Sequence, residues 1–435
     1  MVIFVSGIGG AGLGPLAEIA LDAGLTVYGS DLHHSLFTAE LERRGATIFY
    51  DQDAPTIASV HNITPIDWLI YTSALPGNSP ELLYARENGI RATKRDAFLA
   101  SFIQEKDQRV LAVAGTHGKT TVTAMLVWCF RRLLIPVSYS VGATLSFGAG
   151  GTFEPTSRYF IYEADEYDRN FLHFWPDVSL IVSMDYDHAD VYPDVDSYRD
   201  AFREFASHSR TVLTFDSVDE QVGGLADAMV LVSGQTTRED IDLAGPTIRD
   251  DATLALEALR HLWPELVSHN CGLSREFDAR RIARILAEFP GASRRFEELR
   301  PNLYSDYAHH PAEVAVTVER ACELADCVVI VYQPHQNLRQ VQLVHDGGYG
   351  TAFDGASKVY WLPTYLVRGD FRDDAPMVLT PDQLISTLAP ATRAITEQRD
   401  LDDALLAAIN KHLAENSVVV GIGAGSIDEW LRQSS

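Results

Sequence analysis

The stretch VLAVAGTHGKTTVTAML, from Val110 to Leu126, decides how this chain is read. Val110 to Ala114 is an apolar run and reads as a buried strand. Gly115, Thr116, His117 and Gly118 form a glycine turn, after which Lys119, Thr120 and Thr121 open an apolar helix. A strand, a glycine turn and a helix N-terminus together make an anion site, because backbone N–H groups converge there and the helix dipole favours negative charge. Lys119 adds a point charge able to reach a β- or γ-phosphate, and the Thr120 hydroxyl can sit on Mg²⁺. The general phosphate-loop pattern also wants a glycine five residues before Gly118. Val113 stands there, so this is a shortened variant. The bland alternative is a βα turn with a capping threonine. Lys119 argues against that, being one of only five lysines in the chain.

Around this stretch, 435 residues predict roughly two to four domains. No apolar run reaches the ~18 residues a bilayer span needs. The opening MVIFVSG reads as a strand without a basic leader, which is not the pattern of a signal peptide. Cys129, Cys271, Cys322 and Cys327 form no CxxC and have no histidine cluster nearby, so they read as reduced thiols of a cytoplasmic protein, and a zinc site is not expected. A net charge of −25 argues against nucleic acid and anionic membranes as partners. It does not argue against nucleotides, because a pocket of backbone N–H groups and one lysine works inside an acidic protein.

The chain reads as α/β in three parts. Residues 1–105 begin with strand, glycine turn, helix and strand. Gly7, Gly9, Gly10 and Gly12 lie in the turn, and Asp31 closes the second strand at the spacing of a dinucleotide fingerprint. Residues 106–290 carry the phosphate loop and then two apolar strands, FIYEAD and VSLIVSM, each ending in acids. Ligands bind at strand C-termini in parallel sheets, which places Glu163, Asp165, Glu166, Asp187 and His188 near the loop. Carboxylate and imidazole ligands suit a divalent cation bridging phosphates. Residues 216–250 are weakly patterned and read as short strands and loops, and Asp251 to Leu262 has helical spacing. Residues 291–435 form another βαβ series. Its late GIGAG reads as a close strand–helix turn more than a phosphate site. For His310, in the HHPAEV turn, helix capping and a role in a site both remain open.

Taken together, GIGGAG with YGSD, SALPGNSPEL, AVAGTHGKTT, YEADEYDRNFLHFWP, DYDHAD, GASRRFE, DYAHHPAEV and VYQPHQNLR resemble, in order, the motifs of the Mur ligases of peptidoglycan synthesis. The resemblance implies a Rossmann-like UDP-binding domain, a central P-loop-type ATPase domain and a Rossmann-like C-terminal domain. It implies an ATP- and Mg²⁺-dependent amide-forming ligase that activates a carboxylate as an acyl phosphate. The motifs are most similar to the alanine-adding branch, whose substrates are UDP-N-acetylmuramate and L-alanine. The alternatives are the branch that attaches L-Ala-γ-D-Glu-diaminopimelate to the same sugar, and a nucleotide-binding homologue without turnover. A monomer or homodimer is expected.

Carried over by position, Lys119 would hold the γ-phosphate within a loop of Gly115, Thr116, His117, Gly118, Thr120 and Thr121. Thr120, Glu163 and His188 would hold magnesium. Gly7, Gly9, Gly10 and Gly12 would meet the UDP pyrophosphate, with Asp31 and Ser73 near the uridine. Arg294 and Asp306 would reach the nucleotide, and His309, His335 and Arg339 would line the incoming amino acid and the reacting centre. The chain departs from the family in four places, one being the stretch 216–250, which is short for the central domain and reads as a trimmed sheet or loop. Asp251 ends a Pro-Thr-Ile-Arg-Asp-Asp run where the family has His-Asn-x-x-Asn near the adenine, Ser183 replaces an asparagine, and Gln336 replaces an arginine. No lysine lies between Lys119 and Lys358, which fits the alanine-adding branch.

Overall fold

The apolar runs form the strands of three mostly parallel sheets, seen in a computed structural model. It describes residues 1–10, 12–72, 75–188, 191–225, 229–231, 241–270, 272–335, 343–344, 347–366 and 378–434. Ser73, Cys271, Gln336 and Arg339 therefore lie outside the described residues. So does most of 226–240, part of the weakly patterned segment.

The first sheet contains β1 (Val2–Ser6), β2 (Thr26–Ser30), β3 (Thr47–Phe49), β4 (Trp68–Tyr71) and β5 (Arg91–Lys94). All are parallel, in the order β3-β2-β1-β4-β5. The order reverses between β1 and β4, and ligand crevices form outside the strand C-termini at such a point. Gly7 follows β1 there and Thr72 follows β4.

The second sheet runs β12-β11-β10-β6-β9-β7-β8. Its strands are β6 (Arg109–Ala114), β7 (Ser138–Ser140), β8 (Gly151–Thr152), β9 (Tyr159–Glu163), β10 (Val178–Ile181), β11 (Thr211–Thr214) and β12 (Met229–Leu231). Among the described residues, only β7 and β8 of this sheet pair antiparallel. Leu111, Ala112, Val113 and Ala114 are fully buried, as expected of a central parallel strand covered on both faces. The helix Lys119–Arg132 follows β6.

The third sheet contains β13 (Glu297–Arg300), β14 (Leu303–Asp306), β15 (Val328–Tyr332), β16 (Lys358–Trp361), β17 (Thr396–Gln398) and β18 (Val418–Ile422), in the order β13-β14-β18-β15-β16-β17. One face, which carries Trp361, packs on Val314 and Val318, the other on Leu405, Ile409 and Leu431. The chain forms two compact units. Met1–Asp240 with Asp251–Pro290 holds the first two sheets, and Ile241–Asp250 with Gly291–Ser435 holds the third.

Three local readings change. Asp216–Val222 is a helix, not a loop; Val218 and Val222 bury one face, and Gly223 ends it at φ +81°. The helix expected from Asp251 starts at Pro246 and runs to His269. Proline has no N–H to lose in a first turn, so Pro246 opens the helix at little cost. Finally, β13 pairs antiparallel with β14, so the third sheet is not a pure βαβ series.

Candidate active site

The phosphate loop leaves β6 with Gly115 at φ +144° and Gly118 at φ +80°. A Cβ on Gly115 would lie 2.9 Å from the Ser183 backbone nitrogen. Side chains tie the loop to the end of β10. The Thr116 hydroxyl donates to the Asp185 carbonyl (2.7 Å) and bonds the Tyr198 hydroxyl at 2.9 Å. Ser183 accepts from the His117 N–H at 2.8 Å and donates to its carbonyl at 3.0 Å, so this replacement of the family's asparagine braces the loop. His117 Nε2 lies 3.6 Å from Asp185. The Asp251 carboxylate is buried close beneath Gly118.

Lys119 and Thr120 meet the acids at and just beyond the end of β9. Lys119 Nζ donates to the carbonyls of Gly115 (2.6 Å) and Thr116 (3.2 Å), and to both Glu166 oxygens at 2.8 and 3.1 Å. Thr120 Oγ1 donates to Glu163 Oε1 at 2.8 Å, and the Gly142 N–H donates to Glu163 Oε2 at 2.7 Å. His188, in the left-handed region at φ +59°, lies 3.2 Å from Glu166 through Nε2. Burial pushes the Lys119 ammonium down, but Glu166, Asp165 and Glu163 together more than reverse this, and it is held above its ordinary range. Burial likewise pushes Glu166 up, and Lys119 and His188 outweigh it, leaving the carboxyl low. Asp165 is raised by burial and by its neighbour Glu166. The loop thus presents a protonated amine beside the ionised Glu166 carboxylate.

The donor set fits magnesium. Thr120 and Glu163 are hard oxygen donors in contact, and Mg²⁺ is usually held by one or two protein groups with phosphates and water completing the shell. Among the described residues, no three His, Cys, Asp or Glu side chains form an all-protein metal cage.

A cavity of about 620 Å³ is lined by Gly7, Gly9, Gly10, Gly12 and Asp31. It is also lined by Thr72, Arg95, Asp165, Tyr167 and Asn170, which the sequence did not single out for this pocket. Gly9 donates its N–H to Asp31 Oδ2 at 2.8 Å, and a Cβ on Gly9 would lie 2.9 Å from that oxygen. Asp31 also accepts from the N–H groups of Leu32 and His33, so it braces the glycine turn as well as facing the cavity. Gly12 stands against the Arg95 guanidinium, which pairs with Asp96 at 2.9 Å. Arg95 opens a helix after β5, and no motif marks it.

The remaining predicted residues belong to the second unit. Arg294, at φ +59°, donates from Nη2 to the carbonyls of Gly423 (3.0 Å) and Gly425 (3.4 Å) and covers the Tyr307 ring. Asp306 accepts from the N–H groups of Phe296 and Ala308, and burial pushes its carboxyl up. His309 and His335 are brought together, with ring centroids 6.4 Å apart. His310 caps the helix Pro311–Leu324, accepting from the Ala312 N–H while Glu313 accepts from the His310 N–H. That supports its capping reading. The late GIGAG is a packing turn: a Cβ on Gly425 would lie 2.5 Å from Gln333 Oε1, which itself accepts the Ile427 N–H.

Residues 3–107 match the family described as Mur ligase family, catalytic domain, and residues 113–222 match the Mur ligase middle domain. A UDP-N-acetylmuramate–L-alanine ligase of Caldicellulosiruptor saccharolyticus is 30% identical over 393 residues, 84% of each chain. One from a Nocardioides species is 31% identical over 429 residues, covering 97% of this chain and 92% of its own. Among solved structures, the UDP-N-acetylmuramate-alanine ligase of Thermotoga maritima aligns with a TM-score of 0.73 at 22% identity, over 100% of this chain and 98% of its own. A murein peptide ligase from Psychrobacter arcticus aligns at 0.65 and 20% identity, over 100% and 98%.

Proposed function

The chain belongs to the Mur ligase family, and from that premise we propose that it joins L-alanine to the carboxylate of UDP-N-acetylmuramate with cleavage of ATP to ADP and phosphate. The observation that carries the chemistry is the adjacency of two sites in one unit. Asp165 lines the glycine-turn cavity, and Glu166, next in the chain, pairs with the phosphate-loop lysine. A nucleotide on the loop and a UDP-sugar on the glycine turn would then meet across a single peptide. The domains are assigned as 1–105 for the UDP-sugar, 106–290 for ATP and 291–435 for the amino acid.

A carboxylate is a poor acyl electrophile. One of its oxygens attacks the γ-phosphorus, the bond to the β-phosphate oxygen breaks, and ADP leaves. The acyl phosphate then accepts the alanine amine through a tetrahedral intermediate, and inorganic phosphate departs. Such transfer is governed by positioning and charge neutralisation. In this reading Lys119 neutralises the transferring phosphoryl group, and the loop N–H groups from Gly115 to Thr121, with His117, hold the polyphosphate. Thr120, Glu163 and His188 would hold Mg²⁺, which would supply positive charge to offset that of the phosphates. Gly7, Gly9, Gly10 and Gly12, with Asp31 and Ser73, hold the UDP portion. Arg294 and Asp306 serve the nucleotide, and His309, His335 and Arg339 serve the amino acid. No described helix is long and apolar enough to cross a membrane, and the reaction is assigned to the cytoplasm, in a monomer or homodimer.

The test supplies UDP-N-acetylmuramate, ATP and Mg²⁺ with either L-alanine or L-Ala-γ-D-Glu-diaminopimelate, and reads phosphate release and product mass. Alanine-dependent release with the matching product is expected. Release with the tripeptide alone would move the chain to the other branch, and release with neither would refute a ligase.

A further inference from the structure

Glu166 has no role in the reading above, yet it is 1% exposed and central to the site. Its backbone carbonyl accepts from the Tyr192 hydroxyl at 2.6 Å and from the Arg169 N–H at 3.1 Å, so its main chain is pinned from two sides. Its carboxylate touches Lys119 through both oxygens and His188 through Oε1. One side chain therefore joins the amine expected on the phosphate to the imidazole expected on the metal. We propose that Glu166 is a positioning residue for phosphoryl transfer, aiming the Lys119 ammonium and fixing the His188 ring at the same time.

Lysine is a point charge on a flexible stem, and it has three N–H donors to aim. The carbonyls of Gly115 and Thr116 draw the ammonium back into the loop, and Glu166 draws it toward the C-terminal end of β9. There Thr120 and Glu163 meet. Without the carboxylate only the loop carbonyls remain, and the stem can swing. A carboxylate on one nitrogen of a metal-binding imidazole fixes its tautomer and orientation. Here that places the proton on Nε2 and the lone pair on Nδ1.

The proposal rests on the ligase reading, and its test uses binding as well as turnover. Glu166→Gln keeps the size and one oxygen acceptor. Glu166→Asp keeps the charge but shortens the arm, so that it no longer spans both partners. In each variant kcat and Mg²⁺·ADP affinity, the latter by titration calorimetry, should fall by roughly 10- to 100-fold, the effect usual for partners of metal ligands. UDP-N-acetylmuramate affinity and the KM for L-alanine should not change. ADP titrated in EDTA isolates the lysine arm. Adding Glu166→Gln to Lys119→Ala should then cost little further affinity. Fully additive losses, or a lowered thermal midpoint with unchanged nucleotide and Mg²⁺ titrations, would reduce Glu166 to a structural ion pair and overturn the proposal. If wild-type protein releases phosphate with no acceptor, the ligase reading fails, while the calorimetry still decides the role of Glu166.

Discussion

Gly118 and Lys119 are neighbours under opposite constraints. Gly118 must lack a side chain: its φ is +80°, and a Cβ would lie 2.7 Å from Val182 Cγ1 and 2.8 Å from Asp251 Oδ1. Gly118→Ala should cost about 1–2 kcal/mol in backbone strain alone, and more as Val182 or Asp251 is displaced. A lower thermal midpoint with weakened nucleotide binding is expected. An unchanged midpoint would show that the loop yields freely. Lys119, by contrast, must keep its charge. Lys119→Ala should reduce phosphate release by at least roughly 10²-fold, as for loss of one preorganised charge-stabilising donor. Calorimetric UDP-N-acetylmuramate affinity should persist, because the glycine-turn cavity does not use Lys119. Unchanged turnover would remove the lysine from the phosphate site. Both residues were legible in the sequence because a strand, a glycine turn and a lysine lie contiguously. The partnership of Lys119 with Glu166 was less so. The sequence placed Glu166 near the loop, but the contact depends on β9 pairing directly with β6. For Asp31, the spacing marked the residue but not its bond to Gly9.

The hairpin of β7 and β8 docks on the helix Leu13–Asp22 by closer packing than any motif announces. Gly151 N–H donates to Glu18 Oε2 at 2.9 Å, and Phe153 N–H donates to Asp22 at 3.1 Å. A Cβ on Gly151 would run into the Pro15 carbonyl, so glycine is required for this approach. Burial raises the Glu18 carboxyl to about 6, with the Gly151 N–H and Arg44 only partly offsetting it. The folded state therefore holds this proton more tightly than the unfolded chain. The contribution is neutral below the unfolded value of 4.5, and it becomes destabilising as pH rises through about 6. Above that window the penalty is about 2 kcal/mol, at 1.36 kcal/mol per unit. Glu18→Gln retains an acceptor for Gly151, and should flatten the stability profile between these pH values and stabilise the protein above them. Denaturant midpoints across that range would test it, and a parallel profile in the variant would exclude Glu18. Nothing in EIALD marks Glu18 as buried under a hairpin more than a hundred residues later. The helix Asp216–Val222 escaped for a different reason: two turns with two buried valines give too short a period to stand out beside Gly223 and Gly224.

The number of sheets followed from the sequence, since three separate βαβ series announce three parallel layers. The orders β3-β2-β1-β4-β5 and β12-β11-β10-β6-β9-β7-β8 did not. Apolar runs say that a strand is buried, whereas its neighbour is chosen by crossovers and tertiary packing. Net charge belongs to the same level, because no single contact owns it. With 60 acidic against 35 basic side chains, the folded chain carries −25 and repels itself. Surface ion pairs such as Arg199–Asp196 and Arg203–Asp200 act in the opposite direction. Each is worth roughly 0.2–1 kcal/mol at most, and salt screens attraction and repulsion alike. The repulsion sums over the whole excess of acids, while each pair is local, so repulsion should win. The screening length falls from about 30 Å at 0.01 M salt to about 8 Å at 0.15 M. The thermal midpoint should therefore rise over that interval and level off beyond it. The buried Lys119–Glu166 pair is shielded from salt and should contribute nothing to the slope, so Glu166→Gln should shift the curve without changing its shape. A midpoint that falls with added NaCl would mean that the surface pairs outweigh the net charge.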